Sequence, residues 1–299
     1  PAALRARGHR EVAVFATGQG DFPAARHHYE ASLALIDAAE APTAMADCLG
    51  SLAWVAIQQN DWARARGLLA EARTLQRAAD DRPGLAMTAN LLGVVALQSG
   101  DRGEAGAQFA ASIALARRAA DRPILASALN NLGLLRLEEG EAEAAATLLA
   151  ESVALRRALG DRVVLTNSLH TSGEVARRRG DSRAARALLG EALLLRQEQG
   201  DRRGLARCLE SLAAVALALG EPRRAGRLLG AAAHLRDAIG VAGLPTDRAA
   251  FEETTRAVDR ALGAAAAATH AAGAALPIAA AIAEALAIGE TPLAPDEAT

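Results

Sequence analysis

The chain repeats one residue pattern every 40 positions, and this period limits its fold more than any other feature. The pattern is clearest from Asp121 to Gly160, DRPILASALNNLGLLRLEEGEAEAAATLLAESVALRRALG. Blocks 1–40, 41–80, 81–120, 121–160, 161–200 and 201–240 align without a gap, and two positions hold the same residue in all of them: Ala25, Ala65, Ala105, Ala145, Ala185 and Ala225, then Leu35, Leu75, Leu115, Leu155, Leu195 and Leu235. A fixed period of this length is typical of a solenoid, in which each unit packs on its neighbours.

Each block predicts two helices. In the fourth block, apolar residues follow helical spacing twice, first at Leu125, Leu129, Leu132, Leu135 and Leu137, then at Ala145, Leu148, Leu149, Val153 and Leu155. A helix-ending residue separates the two runs in every block: Gly20, Asn60, Gly100, Gly140, Gly180 and Gly220. An acid follows it, where the dipole of the second helix favours negative charge: Asp21, Asp61, Asp101, Glu141, Asp181 and Glu221.

The joints between blocks carry matching signals. Asp81, Asp121, Asp161 and Asp201 are predicted N-caps of first helices, Pro83 and Pro123 lie in the first turn, and Gly160, Gly200 and Gly240 end second helices. Small residues are predicted to bring the two helices of a pair close together: Ala53, Gly93, Gly133, Gly173 and Ala213. We therefore expect an all-α, right-handed solenoid of about six helix pairs over residues 1–240.

The repeat resembles the tetratricopeptide repeat, whose pattern is L-G followed by A-x-x-x-F. Leu92 and Gly93 with Ala105 and Phe109 match this pattern, as do Leu132 and Gly133 with Ala145, and Ala25 with Tyr29. The period is 40 rather than 34 residues, and the Trp and Tyr positions of the family hold mainly Leu or Ala here. The resemblance implies a helical binding scaffold.

Composition excludes several kinds of chemistry. The basic residues are all arginines, because the chain has no lysine, so it can carry neither a Walker phosphate loop nor a Schiff-base lysine. No nucleophile elbow, HExxH motif or paired catalytic acids are found, and the chain is predicted not to be an enzyme. Heavy use of Ala and Arg indicates a GC-rich bacterial genome.

Charge is unevenly distributed along the chain. Residues 161–240 hold 14 Arg against 9 acidic residues, whereas residues 241–299 hold 3 Arg against 8 acidic residues. We expect the acidic C-terminal segment to pack near the basic last repeats. Interleaved acids and an aromatic content of 2% argue against direct nucleic-acid contact.

The cysteines and the histidines predict neither a disulfide nor a metal site. Cys48 and Cys208 share one block position four repeats apart, too far for a disulfide, which predicts buried thiols in a cytoplasmic protein. The histidines lack partners at metal-ligand spacing, so no metal and no cofactor is expected. No signal peptide is visible, and Pro1 as first residue predicts that the chain is the C-terminal piece of something longer.

The repeat rule ends after residue 240. A helix from about Asp247 to Leu262, an Ala-rich segment and a last helix opened by Pro277 predict a capping segment over 241–290, whereas residues 291–299 are predicted to be disordered. The stretch 263–289 is apolar, but Gly273, Pro277 and Glu284 interrupt it, so we expect no membrane span.

The motifs RLLGAAAHLRDAIG (227–240) and GAALPIAAAIAEALA (273–287), with Phe251 between them, resemble the C-terminus of LuxR-type and related signal-transduction ATPase regulators of bacteria. The resemblance implies a sensor region that binds a protein, peptide or small-molecule inducer, with the ATPase and DNA-binding domains elsewhere. The alternative is a stand-alone scaffold for protein–protein interaction.

Polar residues on the first helices predict the binding groove. Asn90, Asn130, His170 and Glu210 share one block position, and Glu174, Arg177 and Arg178 lie on the same helix face as His170. Trp54, Gln58, Gln98 and Glu138 are predicted to line the same side. The alternative interpretation is a set of solvated residues in which Glu174 pairs with Arg178 at i+4.

Overall fold

The computed structural model describes residues 2–38, 40–239 and 245–290. These ranges hold 15 α-helices, one short 3₁₀ helix (Gly263–Ala265) and no strand. The helices are α1 (Ala2–Gly18), α2 (Phe22–Leu33), α3 (Pro42–Gln58), α4 (Trp62–Ala78), α5 (Arg82–Gln98), α6 (Arg102–Ala119), α7 (Arg122–Glu138), α8 (Ala142–Leu159), α9 (Arg162–Arg178), α10 (Ser182–Gln199), α11 (Arg202–Ala218), α12 (Pro222–Ile239), α13 (Pro245–Leu262), α14 (Ala266–Ala274) and α15 (Ile278–Leu286). The all-α prediction is confirmed, with two helices in each block.

The chain divides into two compact units, Pro1–Glu139 and Gly140–Thr299. In the first unit, α1 packs on α2, α3 on α4 and α5 on α6, and each second helix packs on the first helix of the next block. In the second unit, α9 pairs with α10 and α11 with α12, while α14 and α15 pack against α12. Each unit is therefore a stack of helix pairs of the solenoid type.

Aspartate caps explain where most helices begin. The side chains of Asp81, Asp121, Asp161 and Asp201 accept a hydrogen bond from the third backbone N–H of the following first helix, and those of Asp21, Asp61, Asp101 and Asp181 do the same for second helices. Each such cap is worth about 1 kcal/mol of helix stability. Glu141 makes no side-chain cap bond, and its longer side chain is the physical difference.

The joint between the first two blocks differs from the others. Ala41 stands where later blocks have Asp, and α3 begins without a side-chain cap bond. The preceding helix α2 ends early, at Leu33. The missing Asp signal therefore coincides with the least regular joint in the described residues.

Left-handed residues end the helices, as the glycines predict. Gly160 and Gly200 have φ of 71° and 68°, where glycine is not penalised. The same joint is left-handed at Asp80 and Ala120, with φ of 49° and 53°. A residue with a Cβ is disfavoured there, and local hydrogen bonds hold the turn, since Asp81 N–H donates to the Gln76 carbonyl and Asp121 N–H to the Ala116 carbonyl, both at 2.9 Å.

Close helix contact within the pairs depends on glycine. A Cβ added at Gly93 would lie 2.5 Å from Cε1 of Phe109, and one added at Gly173 would lie 2.6 Å from Cγ of Leu189. Both partner side chains are fully buried. The predicted role of these small residues is confirmed at both positions.

The C-terminal segment packs on the last repeat through small residues and ion pairs. A Cβ at Gly273 would lie 2.0 Å from the carbonyl oxygen of Arg227, so α14 touches the α12 backbone directly. Arg227 Nε donates to both oxygens of Glu284 at 3.0 Å, and Arg186 Nη1 donates to Glu290 at 2.6 Å. The expected contact between acidic segment and basic repeats is confirmed by these pairs. The predicted tail 291–299 and residues 240–244 lie outside the described residues.

Candidate binding faces on the first helices

Each first helix leaves one stripe of side chains uncovered by its neighbours. The exposed or half-buried positions recur every three to four residues, so they lie on one side of the helix. In the first unit this stripe, here called the first open face, comprises Val14, Asp47, Ser51, Trp54, Gln58, Met87, Val94, Gln98, Ser127, Asn131, Leu134 and Glu138. In the second unit it is the second open face: Asn167, Thr171, Glu174, Arg178, Arg207, Ser211 and Ala214.

The predicted polar column lies one residue away from these stripes, between adjacent first helices. Asn131 Nδ2 donates to Asn90 Oδ1 at 3.0 Å, and Ser211 Oγ lies 3.3 Å from His170 Nε2. Asn90 and His170 are each only 7% exposed. These side chains therefore join one repeat to the next, and Asn130 is half-buried at the same position of α7.

Glu210, the last member of that column, pairs with the second helix of its own block. Its carboxylate accepts from Nε and Nη2 of Arg236 at 2.5 and 2.6 Å, and both side chains are largely buried. The pair fixes α11 on α12.

The four-residue cluster on α9 is not paired as the alternative interpretation expected. Glu174 Oε2 accepts from Arg177 Nη2 at 2.9 Å and Nε at 3.1 Å, so its partner is Arg177 at i+3 rather than Arg178 at i+4. Arg178 is exposed. Burial raises the pKa of Glu174, but the Arg177 charge, hydrogen bonds from Arg177 and Ser211, and nearby His170 outweigh it, and the pKa is lowered.

The predicted groove residues of the first unit lie on the first open face. Gln58 and Gln98 are exposed, and Trp54 is 41% exposed. Glu138 is also exposed and accepts from Arg102 Nη2 of α6 at 3.0 Å. Trp54, Gln58 and Gln98 are therefore accessible to a partner.

The feature that sequence reasoning missed is an apolar row across the first open face. Val14, Trp54, Val94 and Leu134 occupy the same block position in four successive blocks. Val14 is 57% exposed, and Val94 and Leu134 are half-buried. Comparing this one position between blocks would have found the row, since the same position holds Glu174 and Ala214 in the second unit.

A cleft of about 460 Å³ adjoins the row, lined by Arg10, Glu11, Val14, Phe15, Asp47 and Ser51. Partial burial and then the charge of Asp81 raise the pKa of Asp47, and Arg10 only partly offsets them. A carboxylate that lacks full compensation favours a cation from a partner.

Two of the histidines, His9 and His28, contact each other between α1 and α2. His9 Nδ1 lies 3.0 Å from His28 Nδ1, and the ring centroids are 5.3 Å apart with the ring planes tilted by 33°. This geometry fits a shared hydrogen bond between α1 and α2. Across the described ranges, no three His, Cys, Asp or Glu side chains converge on a metal position.

Cys48 and Cys208 are both buried and free, and burial raises the pKa of Cys208 to about 11.

No helix among residues 2–38, 40–239 and 245–290 has the length and apolar character that a bilayer crossing needs.

A family model described as tetratricopeptide repeat matches residues 4–78 and 84–158. No curated protein matches the sequence.

Solved structures share the fold at low sequence identity. BtubC (BKLC) from P. vanneervenii is 18% identical with a TM-score of 0.61, over 82% of this chain and 94% of that chain. A Signal Transduction ATPase with Numerous Domains (STAND) protein with a tetratricopeptide repeat sensor, from Pyrococcus horikoshii, is 15% identical with a TM-score of 0.65, over 85% of this chain but 38% of that chain. A Rap protein complexed with Competence and Sporulation Factor is 13% identical with a TM-score of 0.61, over 87% of this chain and 76% of that chain.

Proposed function

The chain belongs to the tetratricopeptide repeat family, and we propose that its first open face binds an extended segment of a partner protein or a peptide. The observation that carries this proposal is the row of Val14, Trp54, Val94 and Leu134, which presents an apolar side chain once per repeat. Exposed apolar rows rimmed by polar residues are typical of interaction sites.

The surroundings of the row suit an extended polypeptide. Gln58 and Gln98 are exposed beside it and can bond to peptide backbone groups of a partner. Covering Trp54 with an apolar side chain contributes about 1–2 kcal/mol. Asp47 adds a preference for a basic residue on the segment, because a cation compensates its partly desolvated carboxylate.

The polar column supports the open faces rather than forming them. Asn90 and His170 join adjacent first helices, and Glu210 fixes α11 on α12. The proposed role of the column, with Asn130 at the same block position, is therefore to position the exposed residues. On the second open face, Arg178 is the exposed member of the predicted cluster, while Glu174 and Arg177 hold each other.

The proposed context is the sensor region of a larger bacterial transcriptional regulator of the LuxR type, located in the cytoplasm. Two structural neighbours support a sensor: the STAND protein has a tetratricopeptide repeat sensor, and the Rap protein is complexed with Competence and Sporulation Factor. A stand-alone scaffold is the second candidate. Sequencing the gene upstream of the Pro1 codon separates the two, since a phosphate-binding loop and DNA-binding helices there support the regulator.

Peptide display tests the binding face. A random linear peptide library is panned on the intact chain, and the recovered peptides are titrated against the chain and its Trp54→Ala/Val94→Ala variant. We expect apolar and basic peptides to be enriched, and their binding to fall about a hundredfold in the variant. Val163→Ala is the control, because Val163 is 64% exposed on α9 and lies off both open faces. Equal binding to all three proteins would contradict the proposal.

A further inference from the structure

Two histidines occupy a pair of block positions that is apolar in most other blocks. The ninth and twenty-eighth residues of a block meet between its two helices, as Leu49 and Leu68 do in one hydrophobic cluster of the second block. Leucine fills both positions in the fourth, fifth and sixth blocks as well. The first block has His9 and His28 there, so both leucines are replaced together by side chains that can bind a metal ion.

The helix pair does not need the two histidines to hold its register. Ser32 Oγ of α2 donates to the Ala6 carbonyl oxygen of α1 at 2.8 Å, about one turn from the histidine of each helix. In the third block, Ser112 Oγ donates to the Ala86 carbonyl oxygen at 2.7 Å between the same two block positions, and that block contains no histidine. The two histidines are therefore available for a role other than packing α1 on α2.

The separation of the two rings fits a shared zinc ion. Nδ1 of His9 lies 3.0 Å from Nδ1 of His28, and the ring centroids are 5.3 Å apart. Two imidazoles that bind one tetrahedral Zn²⁺ ion at about 2.0–2.1 Å hold their nitrogens about 3.3 Å apart and their ring centroids about 5.3 Å apart. Small rotations of both rings, which separate the nitrogens by about 0.3 Å, are therefore enough to admit the ion.

We propose that Nδ1 of His9 and Nδ1 of His28 bind one Zn²⁺ ion, which links α1 to α2. Imidazole nitrogen suits zinc, whereas Mg²⁺ and Ca²⁺ prefer oxygen ligands. Without the ion, one ring donates its Nδ1 proton to the other. With the ion, both Nδ1 lone pairs point at zinc, and each neutral ring carries its proton on Nε2.

Two ligand positions of the ion are left for water. Among the described residues, no third His, Cys, Asp or Glu side chain converges with this pair on a metal position. A tetrahedral ion held by two protein ligands completes its coordination with solvent or with a donor atom of a partner. The zinc site does not require that the first open face binds a peptide, so either proposal can fail without the other.

Calorimetry with zinc alone tests the site. Zinc chloride is titrated into the untagged, chelator-treated chain at neutral pH, and we expect a saturable site for one ion per chain. The His9→Leu/His28→Leu variant should give no saturable heat, because it lacks both proposed ligands. This variant should keep its fold, since it restores the leucine pair of the second block, and circular dichroism checks that it does.

A neighbouring histidine supplies the matched control. His27 is exposed on α2, and its ring centroid lies 5.2 Å from that of His28, so His27→Leu removes an adjacent imidazole but neither proposed ligand. The zinc affinity of this control should stay within about twofold of the original, whereas His9→Leu or His28→Leu alone should weaken it at least about tenfold.

Nuclear magnetic resonance identifies the ligating atoms. Long-range proton–nitrogen spectra of the chain distinguish Nδ1 from Nε2 in each histidine ring. On addition of zinc, we expect the Nδ1 resonances of His9 and His28 to move to the metal-bound range while both Nε2 atoms remain protonated.

Three results would overturn the proposal. The first is no saturable uptake of zinc by the chain. The second is equal uptake by the His9→Leu/His28→Leu variant, because zinc then binds adventitiously elsewhere. The third is ligation through Nε2 of either ring, which would mean that the close pair of Nδ1 atoms is not the site.

Discussion

The two open faces are built on the same backbone repeat but carry different chemistry. In the first unit the shared block position holds Val14, Trp54, Val94 and Leu134, whereas in the second it holds Glu174 and Ala214. Glu174 is engaged by Arg177, and its pKa is lowered, while Asp47 on the first face is undercompensated, and its pKa is raised. The repeat scaffold therefore fixes where side chains point, and the residues at a few block positions decide whether an open face is apolar and suited to a partner.

The largest expected effect comes from making the first face resemble the second. Trp54→Glu combined with Val94→Glu should reduce the affinity for display-selected peptides by more than about a hundredfold. A bound apolar side chain would remove water from both new carboxylates, and this desolvation is unfavourable. Isothermal titration calorimetry measures the loss, with circular dichroism as the control for folding. Peptide binding that survives both glutamates would place the site elsewhere.

The second prediction tests whether the helix pairs that carry the two faces are packed equally closely. Gly93→Ala and Gly173→Ala each place a Cβ within 2.6 Å of a fully buried side chain. Each substitution should lower the free energy of unfolding by about 1–3 kcal/mol, measured by urea denaturation. A cost in one unit but not the other would show that the helix pairs differ in tightness, which would contradict the equivalence.

The third prediction concerns Glu174. Because its folded-state pKa lies below the ordinary 4.5, its pairing stabilises the protein fully above pH 4.5, and this stabilisation is lost as pH falls from 4.5 through the folded-state pKa. Glu174→Gln should therefore cost about 1 kcal/mol at pH 7 and progressively less as the pH is lowered below about 4.5, by urea denaturation over a pH series. A cost that does not change across the pH series would mean that the ion pair is not the cause.

The smallest effect on stability is expected for substitution of Asp47, and it is a gain in stability, whereas substitution of Glu174 causes a loss. Its folded-state pKa is raised above 3.8, so ionisation costs stability as pH rises through the folded value. Asp47→Asn should raise stability at pH 7 by about 0.5 kcal/mol or less, because the side chain is exposed. The same substitution should weaken basic peptides more than neutral ones, and a loss of stability would contradict this account.

Much of the fold could be predicted because its signals are local. The aspartate caps, the glycine ends and the close contacts at Gly93 and Gly173 each depend on a few neighbouring residues, and the structure confirms them. The left-handed conformation of Ala120 could not be predicted from residue type, because alanine disfavours it and the helix-end hydrogen bond from Asp121 N–H to the Ala116 carbonyl holds it.

The candidate site was harder to predict, because it depends on the rotation of each first helix. The polar residues Asn90 and His170 suggested an exposed column, yet each is buried beside a polar residue of the next repeat. One residue corresponds to about 100° of rotation, so a small error in phase exchanges a buried joint for an open face. Trp54 is exposed as the sequence predicted, whereas the exposure of Asn131 is identified only once neighbouring first helices are in place.

The most direct test of the central claim uses Trp54 as its own reporter. The chain has two tryptophans, so Trp62→Phe leaves Trp54 on the first open face as the only one. Titration with a display-selected peptide should move the Trp54 emission to shorter wavelength, saturating with the affinity that calorimetry gives for the same variant. Heat of binding without any change in Trp54 emission would contradict the claim that the first open face is the binding surface.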